Sequence, residues 1–303
     1  MIASQTASRS AIPPAPAALS FRGQDGIRLR LDEAGDAAAR PVILLHGGGQ
    51  TRHAWQHTLH RLGDAGYRAL AYDTRGHGDS EWSAHGDYSP DALVGDLRAL
   101  IAQLPELPVL VGASMGGMTS LVAIGESPQP IAAGLVLVDT AARLETAGVE
   151  RILDFMRAHT DGFESLQDAA AAVAGYNPQR RPPKDHQGLK KNLRLHADGR
   201  WYWHWDPRFL EHATRNTDGE ALVLQARREA AAARVRVPTL LIRGVQSDVV
   251  SVEGARALQS LIPHAEWVDV AEAGHMVAGD RNDLFGASVI AFLQKHFPSR
   301  PSL

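Results

Sequence analysis

The sequence predicts an α/β protein with a mostly parallel central sheet that helices cover. Short, continuous apolar runs recur along the chain, among them residues 42–45 and 109–111. Such runs are typical of strands buried on both faces, as strands in parallel sheets are. Segments with the helical spacing of apolar residues separate these runs, and this alternation is typical of parallel α/β proteins.

The predicted elements alternate regularly through the first half of the chain. A β-hairpin is expected over residues 19–31, with its turn at 24–26. Ser89 is a suitable N-cap for a later helix. A strand and a helix then enclose the sequence GASMG at 112–116, and one more strand ends before Asp139. After the hairpin, the predicted order is strand 42–45, helix 51–65, strand 68–72, helix 90–104, strand 109–111, helix 117–124 and strand 134–138.

The alternation stops between residues 140 and 236, where no convincing buried strand is found. Since the α/β pattern resumes afterwards, we interpret this insert as a helical lid above the carboxyl edge of the sheet; an independent second domain is the alternative. The core is then 19–139 with 237–303, and residues 1–18, rich in Ala, Ser and Pro, are a disordered leader. The insert has helical stretches at 150–159, 166–174 and 220–233, followed by strand 239–243, helix 252–261, strand 265–270 and helix 284–296.

Composition excludes several classes of function. The 303 residues include no cysteine, so the chain has no disulfide, no cysteine nucleophile and no thiolate metal site. A formal net charge of −3 gives no reason to expect nucleic acid or a membrane as a partner. The leader lacks the basic and apolar regions of a secretory signal. We expect a cytoplasmic monomer or homodimer that acts on a small molecule without a cofactor or metal.

Three polar residues that follow predicted strands suggest nucleophilic catalysis. Ser114 occupies the centre of a G-x-S-x-G pattern between a strand and a helix, where a sharp turn holds the hydroxyl out of the sheet. A serine nucleophile needs a base, and the base needs an orienting acid. His275 and Asp248 follow later strands in the chain order of serine, acid and histidine. We therefore predict a triad of Ser114, Asp248 and His275, with Asp139 as the alternative acid.

Backbone N–H groups near Ser114 are candidates for an oxyanion hole, which needs two preorganised donors. Met115 directly follows the serine and supplies one N–H group. The glycine-rich turn at 47–49 supplies the other, because a backbone without Cβ can approach a substrate closely. We predict Gly48 as this second donor and Gly49 as the next choice. His46 is expected to brace this turn.

Taken together, the motifs LLHGGG at 44–49, DTRGHGDS at 73–80, GASMGG at 112–117, RGVQSDVVS at 243–251 and AGHM at 273–276 resemble the α/β-hydrolase superfamily. The resemblance is strongest to the lid-bearing bacterial branch of esterases, lactonases, C–C bond hydrolases, cofactor-free peroxidases and epoxide hydrolases. It implies Ser114 as nucleophile, His275 as base and Asp248 as acid. Epoxide hydrolases carry aspartate at the position of Ser114, so this serine indicates an acyl-enzyme and a substrate with an activated carbonyl.

The expected reaction is the hydrolysis of a carboxylic ester or lactone. C–C bond hydrolysis or perhydrolysis with the same triad is an alternative, and a ligand receptor without activity is a third. In the lid, Trp201, Trp203 and Trp205 alternate with polar residues. They either pack the lid or line an apolar substrate pocket below it. A basic cluster nearby is either a solvated face or draws in a carboxylate-bearing substrate; it comprises Lys184, Lys190, Lys191 and Arg194.

Overall fold

An eight-stranded sheet forms the centre of the protein, in a computed structural model that describes residues 19–176, 186–214, 218–271, 273–276 and 282–299. Its strands are β1 (Leu19–Arg22), β2 (Arg28–Ala34), β3 (Pro41–Leu45), β4 (Arg68–Tyr72), β5 (Val109–Ala113), β6 (Gly134–Val138), β9 (Thr239–Gly244) and β10 (Glu266–Val270). Their order across the sheet is β1-β2-β4-β3-β5-β6-β9-β10. β2 runs antiparallel to β1 and β4, and all other neighbours are parallel. The predicted mostly parallel sheet is confirmed.

Helices cover both faces of the sheet. These helices are α1 (Gln56–Asp64), α2 (Pro90–Ile101), α3 (Met115–Gly125), α8 (Val252–Leu261) and α9 (Gly286–His296). Ser89 caps α2 as predicted, with its hydroxyl oxygen accepting from the Ala92 N–H at 3.2 Å. The helices α2, α3 and α8 contribute to the apolar cluster on one face, and α1 and α9 contribute to the cluster on the other.

The apolar runs are continuous because each central strand has both faces buried. In β3, Ile43 and Leu45 belong to the cluster on one face, and Val42 and Leu44 belong to the cluster on the other. All four side chains are fully buried. An alternating pattern would have placed polar side chains into one of these clusters, at a cost in desolvation.

The segment between β6 and β9 has an apolar cluster of its own, which includes Phe155, Phe163, Trp203 and Trp205. It also contains a short hairpin that the sequence did not predict, since three-residue strands give no readable period. The elements of this segment are α4 (Thr146–Arg157), α5 (Leu166–Tyr176), β7 (Leu193–Leu195), β8 (Trp201–Trp203), α6 (Arg208–Thr214) and α7 (Asp218–Ala232). Helix α7 packs against α3 and α8 beside the sheet.

The segment between β6 and β9, named the lid below, contacts the loops that follow β3 and β4. The Asp206 N–H donates to the Gly76 carbonyl at 2.8 Å, and Trp205 forms a backbone bridge with His77. The Thr51 hydroxyl donates to Asn192 at 3.1 Å. These loops lie at the carboxyl ends of parallel strands, where ligands bind in open α/β sheets. The predicted leader lies outside the described residues, and in the part of the chain that the structure describes no helix could cross a membrane.

Candidate active site

Ser114 lies on a strained turn between β5 and α3. Its φ of +47° is in a region that residues with a side chain rarely adopt. The flanking glycines make the turn feasible. A Cβ on Gly112 would lie 2.4 Å from the Gly116 carbonyl carbon, and a Cβ on Gly116 would lie 2.6 Å from the Leu45 carbonyl oxygen. The sequence pattern therefore predicts the local backbone correctly, and the serine is held at the carboxyl edge of the sheet.

Asp139 is the carboxylate that contacts His275. The His275 Nδ1 lies 2.7 Å from Asp139 Oδ2, and both side chains are almost fully buried. The Asp139 carboxylate also accepts the Gly244 N–H at 3.0 Å and the Ser247 hydroxyl at 2.8 Å. Asp139 itself has a φ of +46°, directly after β6. This strained backbone and two further hydrogen bonds fix the carboxylate against the imidazole.

The prediction of Asp248 as the partner of His275 is wrong for this structure. The Asp248 carboxylate instead forms an ion pair with Arg151 on α4, with 3.1 Å between Oδ2 and Nε. The backbone of α4 packs closely there, since a Cβ on Gly148 would lie 2.1 Å from the Asp248 carbonyl oxygen. Asp248 thus contacts the lid, and the alternative acid, Asp139, takes the position beside the histidine.

Two buried histidines hold the glycine-rich turn after β3. The Thr74 N–H donates to His46 Nε2 at 3.0 Å, so the protonated Nδ1 of His46 donates to the Gly47 carbonyl at 2.7 Å. The Gly49 N–H donates to His77 Nε2 at 3.1 Å. Burial lowers the pKa of His46 to about 4 and that of His77 to about 3. Both rings are therefore neutral at pH 7 and act as fixed braces, as expected for His46.

The Gly48 and Met115 N–H groups make no hydrogen bond to any residue that the structure describes, while those of Gly47 and Gly49 are engaged. This leaves the two donors that the sequence predicted available for an oxyanion. Gly49, the second choice, is bound to His77 and is not available. Phe209 of the lid lies over this turn, since a Cβ on Gly48 would be 3.5 Å from its Cζ.

A small cavity of about 10 Å³ adjoins Ser114 and His275, enough for about one water molecule. Two buried amides line it beside the catalytic candidates. Gln50 and Asn282 exchange hydrogen bonds of 3.2 and 3.0 Å, and Gln50 also accepts the Gly47 N–H at 3.0 Å. The cavity lining consists of Gln50, Ala113, Ser114, Val138, Asp139, His275, Met276, Asn282 and Phe285.

None of the three lid tryptophans lines this cavity. Trp203 and Trp205 are buried in the lid cluster, which matches the alternative of lid packing. Trp201 is half-buried and lies under Lys190, whose Nζ is 5.9 Å from the ring centroid. The expectation that these tryptophans line the pocket is therefore corrected. The lid ring over the glycine-rich turn after β3 is that of Phe209. In the basic cluster, Lys184 lies outside the described residues.

Sequence reasoning missed four residues that support the site: Ser247, Gln50, Asn282 and Phe209. Ser247 directly precedes the aspartate that the motif favoured, so its own contact with Asp139 was overlooked. The partners Gln50 and Asn282 are 232 positions apart, and no local pattern relates them. The residues that the structure describes contain no group of three potential metal ligands.

The fold, the strained turn at Ser114, the contact of His275 with Asp139 and the glycine-rich turn after β3 are together typical of an α/β-hydrolase. A family model described as alpha/beta hydrolase fold matches residues 40–281, and the chain belongs to this family.

The chain is similar to several characterised proteins of this class. It is 32% identical to the esterase Rv0045c of Mycobacterium tuberculosis, over 82% of this chain and 80% of the relative. It is 27% identical to a 3-hydroxybutyrate-oligomer hydrolase of Cupriavidus necator, over 82% of this chain and 87% of the relative. The crystal structure of an E-2-(acetamidomethylene)succinate hydrolase has the same fold, with a TM-score of 0.77 at 22% identity, covering 92% of this chain and all of that one.

Proposed function

We propose that the protein is a serine hydrolase that cleaves carboxylic esters or lactones through an acyl-enzyme, with Ser114, His275 and Asp139 as its triad. The observation that carries the proposal is the 2.7 Å contact between His275 Nδ1 and the buried Asp139 carboxylate, at the cavity that Ser114 also lines. This contact fixes the ring orientation and leaves Nε2 to receive a proton.

The reaction follows from these positions. His275 takes the Ser114 proton as the hydroxyl oxygen attacks the substrate carbonyl, and Asp139 stabilises the imidazolium that forms. The N–H groups of Gly48 and Met115 donate to the oxyanion of the tetrahedral intermediate. His275 then gives its proton to the leaving alcohol. It next activates a water molecule, which hydrolyses the acyl-enzyme.

Two further observations support ester cleavage with a short acyl group. The named functions of the two relatives are esterase and oligomer hydrolase, at 32% and 27% identity. Phe209 lies close over Gly48, so a long acyl chain and this ring compete for the same space. We therefore expect acetyl and butyryl esters to react faster than octanoyl esters.

The test is a comparison of Ser114→Ala with Ser120→Ala on p-nitrophenyl butyrate. Removing the nucleophile should lower kcat by on the order of 10⁴-fold or more, while thermal unfolding stays unchanged. Ser120 lies on α3, the helix that follows Ser114, where its hydroxyl donates to the Gly116 carbonyl, and its variant should retain activity and label with a fluorophosphonate probe. Retained turnover in Ser114→Ala contradicts the proposal. If the wild-type protein cleaves a β-diketone but no ester, the reaction is C–C bond hydrolysis and not ester hydrolysis.

A further inference from the structure

A second, larger groove lies where the lid meets the loops of the core, apart from the cavity at Ser114. Its volume is about 490 Å³. The core contributes His53 and Asp79, from the loops after β3 and β4. The lid contributes residues around its hairpin: Lys190, Lys191, Leu193, Arg194, Leu195 and His204. A molecule in this groove would therefore contact both parts of the protein.

The charge of the groove is positive. Lys190, Lys191 and Arg194 line it against one carboxylate, that of Asp79. Asp79 is already neutralised, since it pairs with both Arg194 and the buried Arg52. Lys190 and Lys191 form no ion pair with any carboxylate that the structure describes; Lys191 donates to the Gln56 amide oxygen. The two ammonium groups are thus available to an anion.

His204 lines the groove without adding charge to it. The residue is 8% exposed, and its Nε2 lies 2.9 Å from the Leu193 carbonyl oxygen, to which it donates. Burial, with Arg194 adding to the effect, lowers the pKa of His204 to about 4, so the ring is neutral at pH 7. Its Nδ1 is shielded from solvent, so a ligand in the groove does not reach this atom. The positive charge that an anion meets there is therefore that of Lys190 and Lys191.

We propose that the groove binds a small organic anion. The carboxylate or phosphate of the ligand contacts Lys190 and Lys191. Leu195, 58% exposed in the same groove, provides an apolar wall for the carbon skeleton. This site is independent of the proposed esterase activity. Because the ligand bridges lid and core, its binding should raise the temperature of unfolding.

Calorimetric titration and thermal unfolding with four probes test the proposal: lactate, propionate, glycerol 3-phosphate and chloride at matched ionic strength. Propionate and chloride carry the same charge, so tighter binding of propionate is evidence of contact between its carbon skeleton and Leu195. Comparing lactate with glycerol 3-phosphate decides between a carboxylate and a phosphate. If no organic anion binds more tightly than chloride, the proposal is overturned.

Two pairs of variants locate the binding. Lys190→Gln/Lys191→Gln should weaken binding by about tenfold or more. The control Arg157→Gln/Lys295→Gln removes the same charge from residues that pair with Asp154 and Glu266, and should bind as the wild type does.

Leu195→Glu places a carboxylate in the groove and should also abolish binding. The matched control is Leu222→Glu, at a position 66% exposed on α7. Equal binding by Leu195→Glu and Leu222→Glu, or by the two charge variants, would place the anion elsewhere and overturn the proposal.

Discussion

Two aspartates follow neighbouring strands of the sheet, and their environments differ. Asp139 comes directly after β6, with a side chain only 4% exposed that accepts hydrogen bonds from Gly244 and Ser247 as well as contacting His275. Asp248 lies in the loop after β9, with a side chain 32% exposed and paired with Arg151 of the lid. A carboxylate that is buried among hydrogen-bond donors is fixed in position, whereas an exposed one can change partners. The comparison shows that chain order alone does not identify the acid of a triad.

Among the substitutions that test this comparison of the two aspartates, Asp139→Asn should have the largest effect. It leaves an amide beside His275 and removes the charge that stabilises the imidazolium, so kcat on p-nitrophenyl butyrate should fall by about 10³- to 10⁴-fold. The matched control is Asp248→Asn, the same change after the neighbouring strand, which should keep kcat within about twofold. If Asp248→Asn lost the activity and Asp139→Asn kept it, the roles of the two aspartates would be reversed.

Ser247 extends the comparison of the two aspartates, because its hydroxyl contacts both Asp139 and the loop that contains Asp248. It donates to Asp139 Oδ2 at 2.8 Å and accepts the N–H groups of Val249 and Val250 at 3.2 and 3.1 Å. Ser247→Ala should lower kcat by about tenfold with KM unchanged, since one hydrogen bond to an ionised group is lost.

The control for Ser247 lies in the same loop. Ser251 caps α8, accepting the Gly254 N–H at 3.0 Å, and Ser251→Ala should cost about 1 kcal/mol of stability without lowering kcat. Ser247→Thr should restore most of the lost kcat, because it returns the hydroxyl. A role of Ser247 in loop stability alone is indicated if Ser247→Ala behaves as Ser251→Ala does.

The parallel sheet and the strained turn at Ser114 could be predicted from local sequence, because short stretches of the chain determine both. Continuous apolar runs report burial on two faces, and the flanking glycines report the lack of room around Ser114. The N–H groups of Gly48 and Met115, which make no hydrogen bond to any described residue, were also predicted as donors, since a glycine turn and the residue after the serine are local features.

The acid and the lid contacts could not be predicted in this way. Asp139 and its donor Gly244 are 105 positions apart, and their contact depends on β6 and β9 being neighbours in the sheet. Two strands that each end near an aspartate offer two candidates, and only the direction of the side chains decides between them. Likewise, the alternation of the lid tryptophans is consistent with a short strand. It does not indicate whether the tryptophan rings face the lid cluster or the cavity.

The smallest effect is expected where the comparison assigns Asp248 a contact with the lid. Its ion pair with Arg151 is partly exposed, so Asp248→Asn should lower the free energy of unfolding by less than about 1 kcal/mol. Arg151 also lies over the Tyr176 ring, 4.6 Å from its centroid, and Arg151→Gln removes this contact together with the ion pair. Thermal unfolding should therefore rank Arg151→Gln below Asp248→Asn. The control Asp64→Asn, at an exposed position on α1, should match the wild type. A loss of several kcal/mol in Asp248→Asn would show that the aspartate supports the core and not merely the lid.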